Sequence, residues 1–394
     1  MIPKFETKAI PSSAPHMASV HEASSIRVNN RVYELQSAGD DVTVLSLGEA
    51  FFDLPGVDFS GVPFPQSFHY SHSRGIAELR GRIANYYSGR YGLPTDAGSE
   101  VLVTAGSKAA IYMAFAVTLD PADEVLIPEP AWVSYTEQVK LCGGTPVGIP
   151  FGTPIESFDR FVTPRTRVLV VNTPHNPTGY RFSEEENERL VAFARRHGLW
   201  LFSDEAYSDF TPGGSFRSLG AYDPGKDHVV VFNSISKNYG ISGWRLGYLI
   251  ARPDFINDVL KVNQHLITCP ATILEYYIAR NFDSILEVTR PQIAALLDKR
   301  NAVSKIMNGL GLEAVEGDST FYFFVSIAPS RLGSDDFCMR LLNEHRVAAV
   351  PGIGYGASCD SFIRLSVGTE SVERIASGLA AIKQLISSTA QSPG

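Results

Sequence analysis

The stretch "VVVFNSISKNYGISGWRLGYLIA" (Val229–Ala251) opens and closes on apolar runs, "VVVFN" and "GYLIA", that read as buried strands. From Val229 to Ile250 only Lys237 and Arg245 carry full charge, and they sit among serines and glycines. Near-continuous apolar runs of this kind suit strands covered by helices on both faces. Two cations at the rim of such a layer need a reason to be there.

The same pattern recurs in "EVLVT" (100–104), "EVLIP" (124–128), "RVLVVN" (167–172) and "LWLFSD" (199–204). Helical segments alternate with these runs. In "FSEEENERLVAFARRHG", Ser183 is placed to cap, Glu186 to complete a capping box, and Gly198 to stop the helix. The alternation predicts an α/β fold, with a mostly parallel central sheet flanked by helices. Beyond about Asn281 the pattern changes to a long helical stretch, then "STFYFFVSI", a helix near "DDFCMRLLNEH", and strands around "VAAVP" and "FIRLSV". That predicts a smaller α+β domain. The expected division is a large domain over 45–280 and a small one made of 1–44 plus 281–394. The first stretch, to about Ser25, is rich in Ser, Pro and Ala and reads as loosely held.

Composition narrows the function. The 394 residues are 44% hydrophobic and 19% charged, with a net charge of −8, which leaves no basic footprint for nucleic acid. The N-terminal segment also lacks a basic helix-turn-helix pattern, which argues against a DNA-binding regulator. No apolar run approaches membrane-spanning length, and no apolar leader is visible at the N-terminus. Cys142, Cys269, Cys338 and Cys359 are scattered, which fits neither a zinc site nor a disulfide framework and suits a reducing compartment. The expectation is a cytoplasmic protein with no metal site. His69, His72 and His175 do not make a metal spacing. "GIGYGA" (352–357) fits a dinucleotide fingerprint, but the loop and strand that follow are not the required helix, so it reads as a turn.

In open α/β sheets ligands bind beyond the carboxyl ends of the strands. Four strand exits carry "AGSKAA", "TPHNPTG", "SDEAY" and "SISKNYG", and so present Ser107, Asn176, Asp204, Tyr207, Ser234 and Lys237. A helix N-terminus at Gly106–Lys108, the Ser234 hydroxyl and the Arg245 guanidinium suit a phosphate. Lys237 in apolar surroundings would have a lowered pKa and react as an amine nucleophile. Asp204 can pair with a protonated heterocyclic nitrogen. Together these describe a pyridoxal phosphate pocket.

The chain resembles the fold-type I, pyridoxal-phosphate-dependent aminotransferases of class I/II, in the aspartate aminotransferase superfamily. The resemblance runs from "LGEAFFDLP" (47–55) to "FIRLSV" (362–367). It includes "YSHSRGIAELR", "VTAGSKAA", "DEVLIPEPAWVSY", "PRTRVLVVNTPHNPTG", "SDEAY", "SISKNYGISGWRLGY" and "VAAVPGIGYG". It implies that Lys237 binds the cofactor covalently and shuttles the substrate proton, and that Asp204 partners the ring nitrogen. Asn176 and Tyr207 would bond the ring's phenolic oxygen, and Trp132 would stack on the ring. Gly106, Ser107, Lys108, Ser234 and Arg245 would form the phosphate cup. Tyr70 would reach the phosphate of a neighbouring subunit, implying a homodimer with shared sites. Arg364 would grip the substrate α-carboxylate, and Gly48 would lie in a loop that closes over it. The implied reaction is ping-pong transfer of an amino group from an L-amino acid to a 2-oxo acid. Lys108 and Trp132 lean toward aspartate- or glutamate-like substrates. The departures "GEAFFDLP" and "STFYFF", near the substrate pocket, leave specificity open and keep open another reaction on the same cofactor, a lyase, a decarboxylase or an amino-acid oxidase; "SISK" is a third departure.

Overall fold

The computed structural model describes residues 13–390. Residues 1–12 and 391–394 lie outside the described residues, and with them part of the N-terminal stretch expected to be loose and both ends of the expected small domain. From residue 13 onward the stretch expected to be loose is tied down. Pro15–Ser19 forms a 3₁₀ turn, Lys140 Nζ donates to Ser19 O at 2.9 Å, and His21 N donates to Glu137 Oε2 at 2.7 Å.

In chain order the strands are β1 (Thr43–Val44), β2 (Val101–Thr104), β3 (Glu124–Pro128), β4 (Thr145–Ile149), β5 (Thr166–Asn172), β6 (Trp200–Asp204), β7 (Val229–Ser234), β8 (Gly247–Ile250), β9 (Tyr322–Ser326), β10 (Val347–Ala348), β11 (Val350–Pro351) and β12 (Phe362–Ser366). Seven of them form one sheet in the order β2-β8-β7-β6-β5-β3-β4. All its pairings are parallel except those of β8, which runs antiparallel to β2 and β7. The cause is the link 235–246. It holds only a four-residue helix and a 3₁₀ turn, too little for the packed crossover that a parallel return needs. The expected strands all form. The strand with no apolar run, β4, lies at the sheet edge, where Pro146 costs no ladder bond that matters.

Alternate residues of the strands feed two apolar layers. Leu126, Leu169, Val171, Leu201 and Val231 pack on one face with Leu190, Val191 and Phe193 of the helix Glu184–His197. Val125, Val168, Val170, Phe202 and Phe232 pack on the other with Ile111 and Phe115 of Ser107–Thr118 and Ile256 and Val259 of Pro253–Leu266. The capping box at Ser183 and Glu186 is present, and Gly198 ends that helix in the left-handed conformation.

A third apolar core surrounds the sheet β11-β12-β9 and the helices Ser334–His345 and Val372–Ala390, and it takes in Leu45 and Ala50. The N-terminal helix Ser24–Ser37 packs Val28, Val32 and Leu35 against Leu342 and Ala348, and β1 pairs with β10. The long helix Thr272–Gly309 serves both regions. Phe282, Ile285 and Leu286 pack with the large sheet, whereas Ile293, Leu296 and Leu297 pack in the third core. Pro291 lies between the two sets, and Asn281 leaves helical geometry near the expected boundary. "GIGY" (352–355) is a 3₁₀ turn leading toward β12. Among the described residues no helix is long and apolar enough to cross a membrane.

Candidate active site

The carboxyl ends of β2, β5, β6 and β7 lie on one edge of the sheet, joined there by the start of β8. A cavity of about 630 Å³ opens along that edge. Of the expected residues, Gly48, Ser107, Lys108, Trp132 and Asn176 line it, with Asp204, Tyr207, Ser234, Lys237 and Arg245. Ser25 and Asn29 of the N-terminal helix and Glu49 line it too, beyond the residues expected.

The anion-binding end follows from close backbone approach. Gly106 has φ +83°, and a Cβ there would stand 2.5 Å from an Arg245 nitrogen. A Cβ on Gly247 would collide with the backbone of Gly106 and Ser107. Glycine at both places therefore lets β8, the Ser107 helix start and the Arg245 guanidinium share one corner. Arg245 Nη1 donates to Ser242 O at 2.8 Å and reaches Ser236 Oγ at 3.5 Å, and no carboxylate pairs with it among the described residues. Ser234 caps the short helix Ile235–Asn238, its hydroxyl accepting from Ser236 N.

At the centre stand Lys237 and Asp204. Lys237 is half-buried, and its Nζ donates to Gly48 O at 2.5 Å and lies 5.8 Å from the Tyr207 ring. Burial lowers its pKa to about 8, with the charges of Arg364 and Arg245 adding to the shift and Glu49 and Asp204 opposing it. Asp204 is buried, and burial raises its pKa. Its Oδ2 accepts from Tyr135 Oη at 2.7 Å and its Oδ1 from Ala206 N at 3.2 Å. Asn172 orders the neighbouring turn: its Oδ1 accepts from Asn176 N at 2.7 Å and its Nδ2 donates to Asp204 O at 2.7 Å. Tyr135 and Asn172 were missed because their partners are fixed only by tertiary packing. Glu205, beside Asp204, faces the other way. It is fully buried and accepts from Ser203, Ser218 and the Leu219 N–H, and burial raises its pKa to about 7.

Arg364 stands just behind the lining. It is buried; Nη2 donates to Ser46 O at 2.6 Å, Nη1 reaches Asn176 Oδ1 at 3.4 Å, and Nε has no partner among the described residues. Tyr70 is not brought to this cavity. Its side chain is 85% exposed in a surface hollow with Phe68 and Thr272. Lys108 holds its ammonium 5.1 Å from the Trp132 ring centre. His175 makes local contacts to Thr178 and Pro130 O, and burial lowers its pKa to about 4.

These residues suit pyridoxal phosphate. A buried carboxylate without a directly bonded cation suits a protonated ring nitrogen, and the glycine-floored corner with an unpaired guanidinium suits a phosphate. An amine with a pKa near 8 in a cavity suits covalent attachment.

The comparisons with known proteins agree. The family described as aminotransferase class I and II matches residues 63–382. An aspartate aminotransferase of Geobacillus stearothermophilus is 33% identical over 385 residues, covering 92% of this chain and 97% of that relative. An aromatic-amino-acid aminotransferase of Thermococcus litoralis is 31% identical over 355 residues, covering 86% and 90%. The solved structure of an aspartate aminotransferase from Thermus thermophilus with maleate superposes with a TM-score of 0.87 at 29% identity, covering 95% of this chain and all of that one. The chain belongs to the class I and II aminotransferases, whose fold and cofactor, pyridoxal phosphate, it shares. It is a transaminase, and these relatives give no support to the lyase, decarboxylase or oxidase alternatives.

Proposed function

We propose that Lys237 carries the covalent and proton-transfer work of this aminotransferase, acting on an aspartate- or glutamate-like amino acid and its 2-oxo acid partner. The observation that carries the reading is the Lys237 amine, half-buried in the cavity with a pKa near 8, between Asp204 and the Tyr207 ring. When bound, the cofactor supplies an electron sink for the bonds at the substrate Cα. Asp204 pairs with the ring nitrogen and keeps it protonated. Tyr207 and Asn176 bond the phenolic oxygen, and Trp132 offers its face to the ring. Gly106, Ser107 and Lys108, through backbone N–H groups, hold the phosphate with Ser234 and Arg245. Arg364 binds the substrate α-carboxylate, for which its unpartnered Nε is a free donor. The Gly48 loop covers that end. Lys237 Nζ would hold the cofactor covalently and, once free, would move the substrate Cα proton as general base and then general acid.

Lys108, at the rim beside Trp132, supports a second, distal carboxylate on the substrate. Exposed Tyr70, next to exposed Phe68 and Phe64, supports a homodimer in which Tyr70 serves the neighbouring site. Free cysteines support a reducing, cytoplasmic setting. The separate apolar cores support a large and a small domain, but Leu45 and Ala50 pack in the third core and Phe282, Ile285 and Leu286 with the large sheet, so the division falls a few residues beyond 45 and 280. A half-reaction screen tests the function. Each amino acid is added to the yellow holoenzyme, and conversion of its visible band to that of the amine form of the cofactor is followed. Aspartate and glutamate should convert fastest. Conversion by aromatic amino acids alone would overturn the substrate class, and conversion by none would overturn the assigned roles.

A further inference from the structure

Two buried phenols meet behind the cavity. Tyr207 Oη lies 2.9 Å from Tyr322 Oη, and both side chains are buried. Each hydroxyl has one proton, so one phenol donates and the other accepts. A phenol that must also donate to a ligand has to be the acceptor of the pair.

The surroundings bias the choice. The Arg364 guanidinium lies 4.5 Å from the Tyr322 ring centre. Burial raises the Tyr322 pKa, and the Arg364 charge works against that rise. Tyr207 lines the cavity and Tyr322 does not, so Tyr207 is the phenol placed to donate to a ligand. With the Tyr207 proton directed into the cavity, Tyr322 is the donor within the pair and Tyr207 the acceptor. The loop above approaches closely: a Cβ on Gly48 would stand 3.1 Å from Tyr322 Oη and 3.7 Å from Arg364 Nη1. Strand pairing fixes the rest, since β9 and β12 place Tyr322 opposite Ser366 and Phe324 opposite Arg364.

We propose that Tyr322 is a positioning residue for transamination: it donates to Tyr207 Oη and so turns the Tyr207 proton toward the cofactor's phenolic oxygen. This rests on the roles given to Tyr207 and Arg364 above. Hydrogen bonds in series polarise one another, so Tyr207 becomes a stronger donor than an isolated phenol. The same ring lies against Arg364, so a substrate carboxylate that neutralises the guanidinium weakens the Tyr322 donor. Tyr322 thereby links the occupancy of Arg364 to the proton affinity of the bound cofactor.

The test is a pH titration of the visible band of the holoenzyme. Tyr322→Phe keeps the ring against Phe321 and Tyr207 and removes only the hydroxyl. Donation to an anionic oxygen favours its charged form, so weakening that donor raises the proton affinity of the chromophore. The band's midpoint should move up by roughly 0.5–1 pH unit, the size of one modest hydrogen bond. Tyr207→Phe should move it further in the same direction, and adding Tyr322→Phe to Tyr207→Phe should add nothing. A purely structural role would lower the thermal midpoint and leave the band in place. A shift with Tyr207→Phe but none with Tyr322→Phe overturns this inference alone, as does an additive shift in the double variant. A wild-type band that borohydride cannot trap on Lys237 overturns both this inference and the roles on which it rests.

Discussion

The end of the cavity assigned to the cofactor draws its side chains from the exits of neighbouring strands in one sheet, whereas the end assigned to the substrate is assembled from Gly48, Tyr322 and Arg364, three distant stretches that meet beside the third apolar core. The first end is fixed as soon as β2, β5, β6 and β7 pair. The second exists only when the N-terminal segment, β9 and β12 have packed together. The two ends should therefore fail in different ways: one by losing the cofactor, the other by losing the substrate while the cofactor stays.

The largest effect tests the first end. Lys237→Ala should abolish the covalent link and lower turnover by at least about 10⁴-fold. The check is borohydride trapping together with the steady-state rate. A variant with normal turnover would refute the assignment. The reverse case is Arg364→Gln. It removes a charged donor from the substrate end, so kcat/KM should fall by about 10–100-fold through KM for the amino acid. The visible band of the holoenzyme should remain. If Arg364→Gln instead empties the enzyme of cofactor, the division between the two ends is wrong.

A pH effect sharpens the first end further. The Lys237 amine must be unprotonated to attack the cofactor aldehyde. Its folded-state pKa of about 8 lies below the ordinary lysine value of 10.5. The rate of cofactor recombination by apoenzyme should therefore rise with pH and level off above a midpoint near 8. A midpoint above 10 would mean that burial does not govern this amine. The same shift has a stability sign. A depressed lysine pKa contributes stability that is complete above 10.5 and lost as pH falls through about 8. Apoenzyme should thus be measurably less stable at pH 7 than at pH 9.5 through this group, and less so in Lys237→Met.

The contrast between the ends also explains what could be read in advance. Asp204, Ser234 and Lys237 each follow an apolar strand in the chain, so sequence order alone puts them on one rim. Asn172 and Tyr135 serve the same rim, but their bonds to Asn176 and Asp204 depend on side-chain reach across the sheet, which no local pattern encodes. Arg364 came from resemblance, since an arginine on an alternating strand can equally face water. The Tyr207–Tyr322 contact joins two elements with no spacing in common and became visible only in three dimensions. The packing of the N-terminal helix is not encoded locally for a similar reason. Its apolar stripe Val28, Val32 and Leu35 is short, and its anchor, Leu342 and Ala348, lies near the other end of the chain. The antiparallel course of β8 was legible in principle from the shortness of 235–246.

The smallest expected effect concerns the rim where the two ends meet. Lys108 offers its backbone to the phosphate corner and its ammonium, beside Trp132, to the open cavity. The side chain is exposed, so a pair between this ammonium and a distal carboxylate is partly screened, and such pairs are worth only a few tenths to about 1 kcal/mol. Lys108→Gln keeps the backbone N–H and much of the stem. It should therefore raise KM for aspartate and glutamate by roughly 2–5-fold, with the loss shrinking as salt rises, and leave neutral amino acids unchanged. The ratio of kcat/KM for glutamate to that for glutamine isolates the charge from the rest of the side chain. An equal loss for both substrates would move Lys108 from the substrate end to the phosphate end, and the specificity for a second carboxylate would then have to come from the N-terminal helix residues Ser25 and Asn29 that share the cavity wall.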